Sequence, residues 1–364
     1  MSARAFASAL LRKQQMSLAT TRPGSGRPWL RIIVRCLLIL VILFAVAGFF
    51  YENISEARDR RFHPMPGQLV DVGGYRMHIY CLGQEAPPVI LDSGLGDSHV
   101  SWGKVQPQIA KFSRVCSYDR AGLGYSASSP HPRTSKVMAE ELHTLLHNAG
   151  ISPPYVLVGH SMGGFNVRLF TSHYRGEVAG MVLVDSSHPE QDRRFPQALN
   201  DMDKTWVREQ EFLTFSMPFG IPRLLGFCGN DAEVRAADCN FHSYREGLTV
   251  LKTFPESAAQ AATTGSLGDL PLAVLSHDPA VPQPEVPADL VKPMNDAWDQ
   301  MQEELTHLSS RGTRTIAKNS SHYIQLDRPD AVVEAIRGAV DQARQNQSAP
   351  EPRPLANTSG LVSH

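Results

Sequence analysis

Five short runs constrain this chain more than any other feature: VILD (89–92), RVCSYD (114–119), YVLV (155–158), MVLVD (181–185) and LPLAVLS (270–276). None shows the in–out alternation of a half-exposed strand, so each is expected to be buried on both faces. Segments of helical spacing separate them. In one, Thr134 or Ser135 can cap a helix whose Val137, Met138, Leu142, Leu145 and Leu146 share a face, with Gly150 ending it. Trp102, Val105, Ile109 and Phe112 recur at the same spacing, as do Val332, Val333, Ile336 and Val340. The fold class that follows is α/β, a mostly parallel sheet covered by helices on both faces. GQLVDVGGYRMHIYCLG, folding back at Gly73-Gly74, adds an antiparallel hairpin at one edge.

The alternation breaks between residues 190 and 267. Phe212, Phe215, Met217, Phe219, Leu224, Leu225 and Phe227 cluster there among prolines and glycines. This stretch is expected to be a helical cap inserted between late strands, over the carboxyl ends where open α/β sheets place ligands. The core then comprises residues 66–189 and 268–344, closed by the strand TRTIA and a last helix. The polar tail 345–364 is expected to be disordered.

The N-terminus differs from the body. Residues 1–51 carry seven basic residues and no acidic one, and Cys36 to Tyr51 is uncharged. With Ile32–Val34 the apolar segment reaches bilayer-spanning length. The expectation is a basic cytoplasmic stretch (1–30), a transmembrane anchor (31–51) and a body translocated outward. Ala45-Val46-Ala47 keeps open a cleaved signal peptide and a secreted body. The net charge of −1 gives no basis for a nucleic-acid partner. Five cysteines are too few for a disulfide scaffold; Cys228 and Cys239 are close enough to pair, whereas Cys81 and Cys116 read as core residues.

YVLVGHSMGGF places Ser161 between a strand and a helix, with Gly159 and Gly163 permitting the tight turn that presents a serine hydroxyl. A serine nucleophile needs a base. Among 14 histidines, His322 lies in the loop between the final strand and final helix, at the carboxyl edge of the sheet. His160 is expected to shape the turn, and His99 and His188 to line a pocket. The acid that orients the base is assigned to Asp278, which gives the order Ser161, Asp278, His322. Asp185, at the end of the strand after the serine, is the alternative. Backbone N–H groups of Met162 and Leu95 are the expected oxyanion donors. The pattern calls for no cofactor and no metal.

The motifs SGLGDS, YDRAGLGYS, GHSMGG and SSHYIQLDRPDAVVEAI together resemble the α/β-hydrolase superfamily, in its serine esterase and lipase-like branch with a helical cap. The resemblance runs from about Gln68 to Ala343, apart from the insert. It implies Ser161, His322 and an acid as a triad, with Leu95 and Met162 as donors. Two departures stand out: Ser93-Gly94 replaces the His-Gly of many relatives, and Leu-Ser-His-Asp replaces Gly-x-x-Asp, which keeps Asp185 in play. The serine argues against epoxide hydrolases and haloalkane dehalogenases, which use aspartate. The missing Gly-Gly-Pro-Gly argues against proline iminopeptidases. The expected activity is cleavage of small hydrophobic esters through an acyl-enzyme. Acyl transfer, cofactor-free carbon–carbon or peroxide chemistry on the same triad, and a non-catalytic ligand-binding role are the alternatives.

Overall fold

The computed structural model describes residues 28–348. It opens with a single helix, α1 (Pro28–Phe62), followed by a hairpin of β1 (Gln68–Asp71) and β2 (Arg76–Leu82). Then come β3 (Val89–Asp92), β4 (Val115–Tyr118), α2 (Ser135–Asn148), β5 (Tyr155–His160), α3 (Gly163–His173) and β6 (Val178–Val184). An insert with α4 (Gln197–Ser216) and α5 (Phe241–Ala262) leads to β7 (Leu272–Ser276), α6 (Ala288–Thr306), β8 (Gly312–Ile316) and α7 (Pro329–Ser348).

Eight strands form one sheet in the order β1-β2-β4-β3-β5-β6-β7-β8. The hairpin strands pair antiparallel, β2 also antiparallel to β4, and every other pair is parallel. The uninterrupted apolar runs have a direct explanation, because neighbouring residues feed opposite layers. Ile90 and Leu157 enter one core with Leu142 and Phe170, while Leu91 and Val158 enter the other with Ile109 and Ile336. Each such fully buried large side chain contributes roughly 1.5–3 kcal/mol relative to exposure.

Two local readings differ. The Trp102–Phe112 periodicity is not one helix but a 3-10 turn, His99–Trp102, and a single α-turn, Gln106–Ile109, separated at Gly103. Cys81 and Cys116 are not plain core residues: they stand opposite each other on antiparallel β2 and β4 and form a disulfide, with Cα atoms 4.1 Å apart. Cys228 and Cys239 are also bridged.

α1 is the one helix among the described residues long and apolar enough to cross a membrane, with mean hydropathy 2.9 over its most apolar window. It does not stop at Tyr51 but continues to Phe62, because its later turns pack on the insert. The Arg223 guanidinium lies 3.0 Å from Glu52 and also pairs with Asp59, in a nearly buried cluster. At the other end, residues 345–348 belong to α7. Of the expected cytoplasmic stretch 1–30, residues 28–30 belong to α1, while 1–27 and the rest of the expected disordered tail, 349–364, lie outside the described residues.

Candidate active site

Ser161 stands between β5 and α3 with φ +51°, a left-handed conformation uncommon for a residue with a side chain. The glycines around it make this turn possible. A Cβ on Gly159 would lie 2.6 Å from the Gly163 carbonyl oxygen, and one on Gly163 would lie 2.5 Å from that of Asp92. The backbone is pinned from β6: the Ser161 N–H donates to Val184 O, and the Ser187 N–H donates to Ser161 O.

The loop after β3 is held by the motif YDRAGLGYS. Arg120, buried, donates to Asp92 Oδ1 at 2.7 Å, to Ser93 O at 2.6 Å and to Gly94 O. Tyr118 donates to the other Asp92 oxygen. Leu95 is thereby fixed across the cavity from the β5–α3 turn. The backbone N–H groups of Leu95 and Met162 have no hydrogen-bond acceptor among the described residues. An oxyanion hole needs two such unengaged backbone donors.

His322 is brought to Asp185, not to Asp278. Its Nδ1 lies 2.6 Å from Asp185 Oδ2. Asp185 follows the last residue of β6 with φ +42° and is completely buried. The physical reason is local. Asp278 is two residues beyond β7, where its carboxylate accepts the N–H groups of Ala280 and Asn319 and faces Lys318. It caps turns there. Its neighbour His277 instead turns inward, with Nδ1 2.9 Å from Asp185 Oδ2 and its backbone N–H 3.0 Å from Oδ1. Trp298 Nε1 on α6 adds a fourth donor at 2.9 Å. Sequence reasoning missed His277 and Trp298 as partners of the acid; the absent glycine in Leu-Ser-His-Asp was the available signal.

Burial alone would raise the pKa of Asp185. The hydrogen bonds and positive charge of His277 and His322 outweigh burial and hold it well below the usual carboxylate range. His160 packs against His322: its Nε2 lies 3.0 Å from the His322 carbonyl oxygen, and its ring packs on His322 and Tyr323. Burial, and then the charge of His322, lowers the His160 pKa to about 3, so the ring is neutral. Asp97, beside Tyr323, is raised to about 6, chiefly by burial.

Ser161 and His322 both line two adjoining cavities of about 440 Å³ each. One is walled by Phe195, Val281, Val286, Met294 and Trp298. The other is walled by Leu95, Trp206, Val207, Leu251 and Phe254, with Asp97, Asp192 and Asp203 at its polar side. Among the described residues no hydrogen bond joins the Ser161 hydroxyl to His322, whose ring is bonded to Asp185.

His99 and His188 lie elsewhere. His99 joins His78 on Asp119, both Nδ1 atoms 2.8 Å from the carboxylate, while His188 faces Glu190 and Glu304. These two clusters are the described groupings that could hold a cation. The contacts in the first are of hydrogen-bond length, and that carboxylate ties β2 to the turn after β3.

A family profile described as the alpha/beta hydrolase fold matches residues 87–329. "Uncharacterized protein YbdG" of Bacillus subtilis is 28% identical over 188 residues, 51% of this chain and 57% of that protein, so the match spans little more than half of the relative. Among solved structures, the epoxide hydrolase CorEH superposes with TM-score 0.56 at 18% identity, covering 74% of this chain and 96% of its own. A thermophilic esterase from Thermogutta terrifontis gives 0.51 at 20% identity, covering 76% and 98%. At these identities the two structures speak for the fold alone. The profile match, the eight-stranded sheet and the strained Ser161 turn agree, and the chain belongs to the α/β-hydrolase family.

Proposed function

We propose that this chain is a membrane-anchored serine hydrolase that cleaves carboxylic esters of hydrophobic acids or alcohols. The observation that carries the reading is the alignment of Ser161, strained at the β5–α3 turn, with His322 on the same cavities and Asp185 behind it. Asp185, rather than Asp278, is the acid in this reading. It holds the Nδ1 proton of His322 and leaves Nε2 as the base.

Attack proceeds as Ser161 Oγ adds to the ester carbonyl and His322 Nε2 takes its proton. The carbonyl oxygen becomes an oxyanion held by the N–H groups of Leu95 and Met162. His322 returns the proton to the departing alcohol, and the acyl group remains on Ser161. Water then gives a proton to His322 and attacks the acyl carbon; the acyl–Oγ bond breaks, His322 returns that proton to Ser161 Oγ, and the acid is released. Two apolar lobes meeting at Ser161 suit an ester with bulk on both sides of the carbonyl. The insert from 190 to 267 supplies one wall and acts as the lid.

Anchoring rests on α1, whose apolar part is unburied. Two disulfides suit a body in an oxidising compartment, which agrees with a cytoplasmic N-terminus and an extracytoplasmic catalytic domain. The test is hydrolysis of an activated p-nitrophenyl ester by wild type and Ser161→Ala. Loss of essentially all turnover in a folded variant is expected. Retained turnover refutes the reading.

A further inference from the structure

The insert shows an apolar surface that the ester chemistry does not explain. Phe215 is 74% exposed, Leu224 66%, Leu225 62% and Phe227 50%, and Phe212 is also exposed. Soluble surfaces rarely gather such groups on one stretch. Between Phe212 and Phe227 the only charged residue is Arg223. Its guanidinium is turned inward to Glu52, Asp59 and the Cys239 carbonyl. The outward face thus carries no free charge.

This face adjoins the apolar helix at a definable depth. Gly48 of α1 touches the Phe219 backbone so closely that an added Cβ would be 2.3 Å from its carbonyl oxygen. Gly220 packs on the Tyr51 ring in the same way. Ile32 to Tyr51 is the uncharged run apart from Arg35, and at 1.5 Å per residue it spans about 30 Å, the thickness of a bilayer core. Gly48 is within about one turn of its end. With α1 spanning a bilayer, the segment around Phe219 would lie level with the boundary between acyl chains and headgroups; Phe215 packs edge-on against Phe219.

We propose that residues 212–227 form a docking surface for the outer leaflet of a phospholipid bilayer. Phe215, Leu224, Leu225 and Phe227 enter the headgroup–acyl boundary beside the anchor. Arg223, locked to Glu52 and Asp59, sets the angle between insert and anchor. α4 connects this surface to the site, since Phe212 and Phe215 lie on its last turns and Trp206 and Val207 line a cavity. The inference rests on α1 being a membrane anchor, so its test separates the two.

The full chain is reconstituted into phosphatidylcholine vesicles carrying nitroxide or bromine quenchers at shallow or deep acyl positions. One sample bears an environment-sensitive dye on Leu225→Cys in a Cys36→Ser background. A second bears the dye on native Cys36, the free cysteine within the span. Insertion of about 5–10 Å predicts that the Leu225→Cys dye is quenched most strongly by the shallow lipid. A Leu225→Cys dye that no lipid quencher reaches overturns the docking proposal, whatever Cys36 does. An unquenched Cys36 dye overturns the anchor reading, whatever Leu225→Cys does. As a second readout, Leu224→Ser/Leu225→Ser/Phe227→Ser should lose turnover of a bilayer-dissolved ester while keeping that of a short soluble ester. Equal loss on both, or on neither, counts against docking.

Discussion

His322 Nδ1 lies 2.6 Å from Asp185 Oδ2, a contact that joins residues 137 positions apart at the carboxyl edge of the sheet. Replacing Asp185 with Asn puts an amide against a ring nitrogen that needs an acceptor. Asp185→Asn is predicted to reduce kcat by about 10²–10⁴-fold with little change in KM. Asp278→Asn, which only loosens turn capping, is predicted to change kcat less than about threefold. Steady-state kinetics on an activated ester, with folding checked by circular dichroism, decides between the two carboxylates.

His277 and Trp298 position Asp185 rather than touch substrate carbonyl. Burial pulls the His277 pKa down, but the hydrogen bond and charge of Asp185 outweigh this and leave it raised. A raised folded pKa contributes stability fully present below the unfolded value, near 6.5, and lost as pH rises through the folded value. The stability gap between wild type and His277→Gln should therefore shrink from about pH 6.5 upward, measured by urea unfolding. Trp298→Phe keeps the ring but removes the donor to a buried carboxylate, and should cost about 1.5–3 kcal/mol.

His160 has the opposite sign. Its folded pKa of about 3 is below the unfolded value, so the unfolded state binds its proton first as pH falls. Stability is predicted to decline from about pH 6.5 downward toward the folded value. His160→Gln can still donate to the His322 carbonyl, and should flatten that decline. Unfolding curves of the two proteins between pH 7 and 4 measure it; parallel curves would contradict a neutral, buried His160.

Much of the sheet was legible in the sequence because strands buried on both faces leave unbroken apolar runs, and β3 to β7 read that way. Loop chemistry was less legible. Asp278 and Asp185 each end an apolar run, and which carboxylate meets His322 depends on one or two residues of strand overhang. The Cys81–Cys116 pairing depends on β2 lying beside β4 rather than β3, which no local pattern encodes. The apolar run ends at Tyr51, but no local pattern tells that α1 runs on to Phe62, where Arg223, 171 residues from Glu52, pairs with it. Gly103 interrupts an otherwise helical Trp102–Phe112 periodicity.

The same Arg223 contact yields a stability prediction. Arg223→Met leaves the nearly buried Glu52 without its cation, while Asp59 keeps Arg235 at 3.9 Å, and should cost about 3 kcal/mol in the packing of insert on α1. Limited proteolysis of the detergent-solubilised chain reads this directly: cleavage between 195 and 240 should appear earlier than in wild type. Unchanged protection would mean the contact carries little.

The proposed reaction stands on Ser161 as a nucleophile activated by His322. Its most direct test is the reaction of the folded full chain with an active-serine phosphonate, followed by peptide mapping. Stoichiometric labelling at Ser161 is expected, abolished in Ser161→Ala and slowed by at least about 10²-fold in His322→Ala, the scale of a lost general base. Absence of labelling in folded protein, or labelling at another serine, would contradict it.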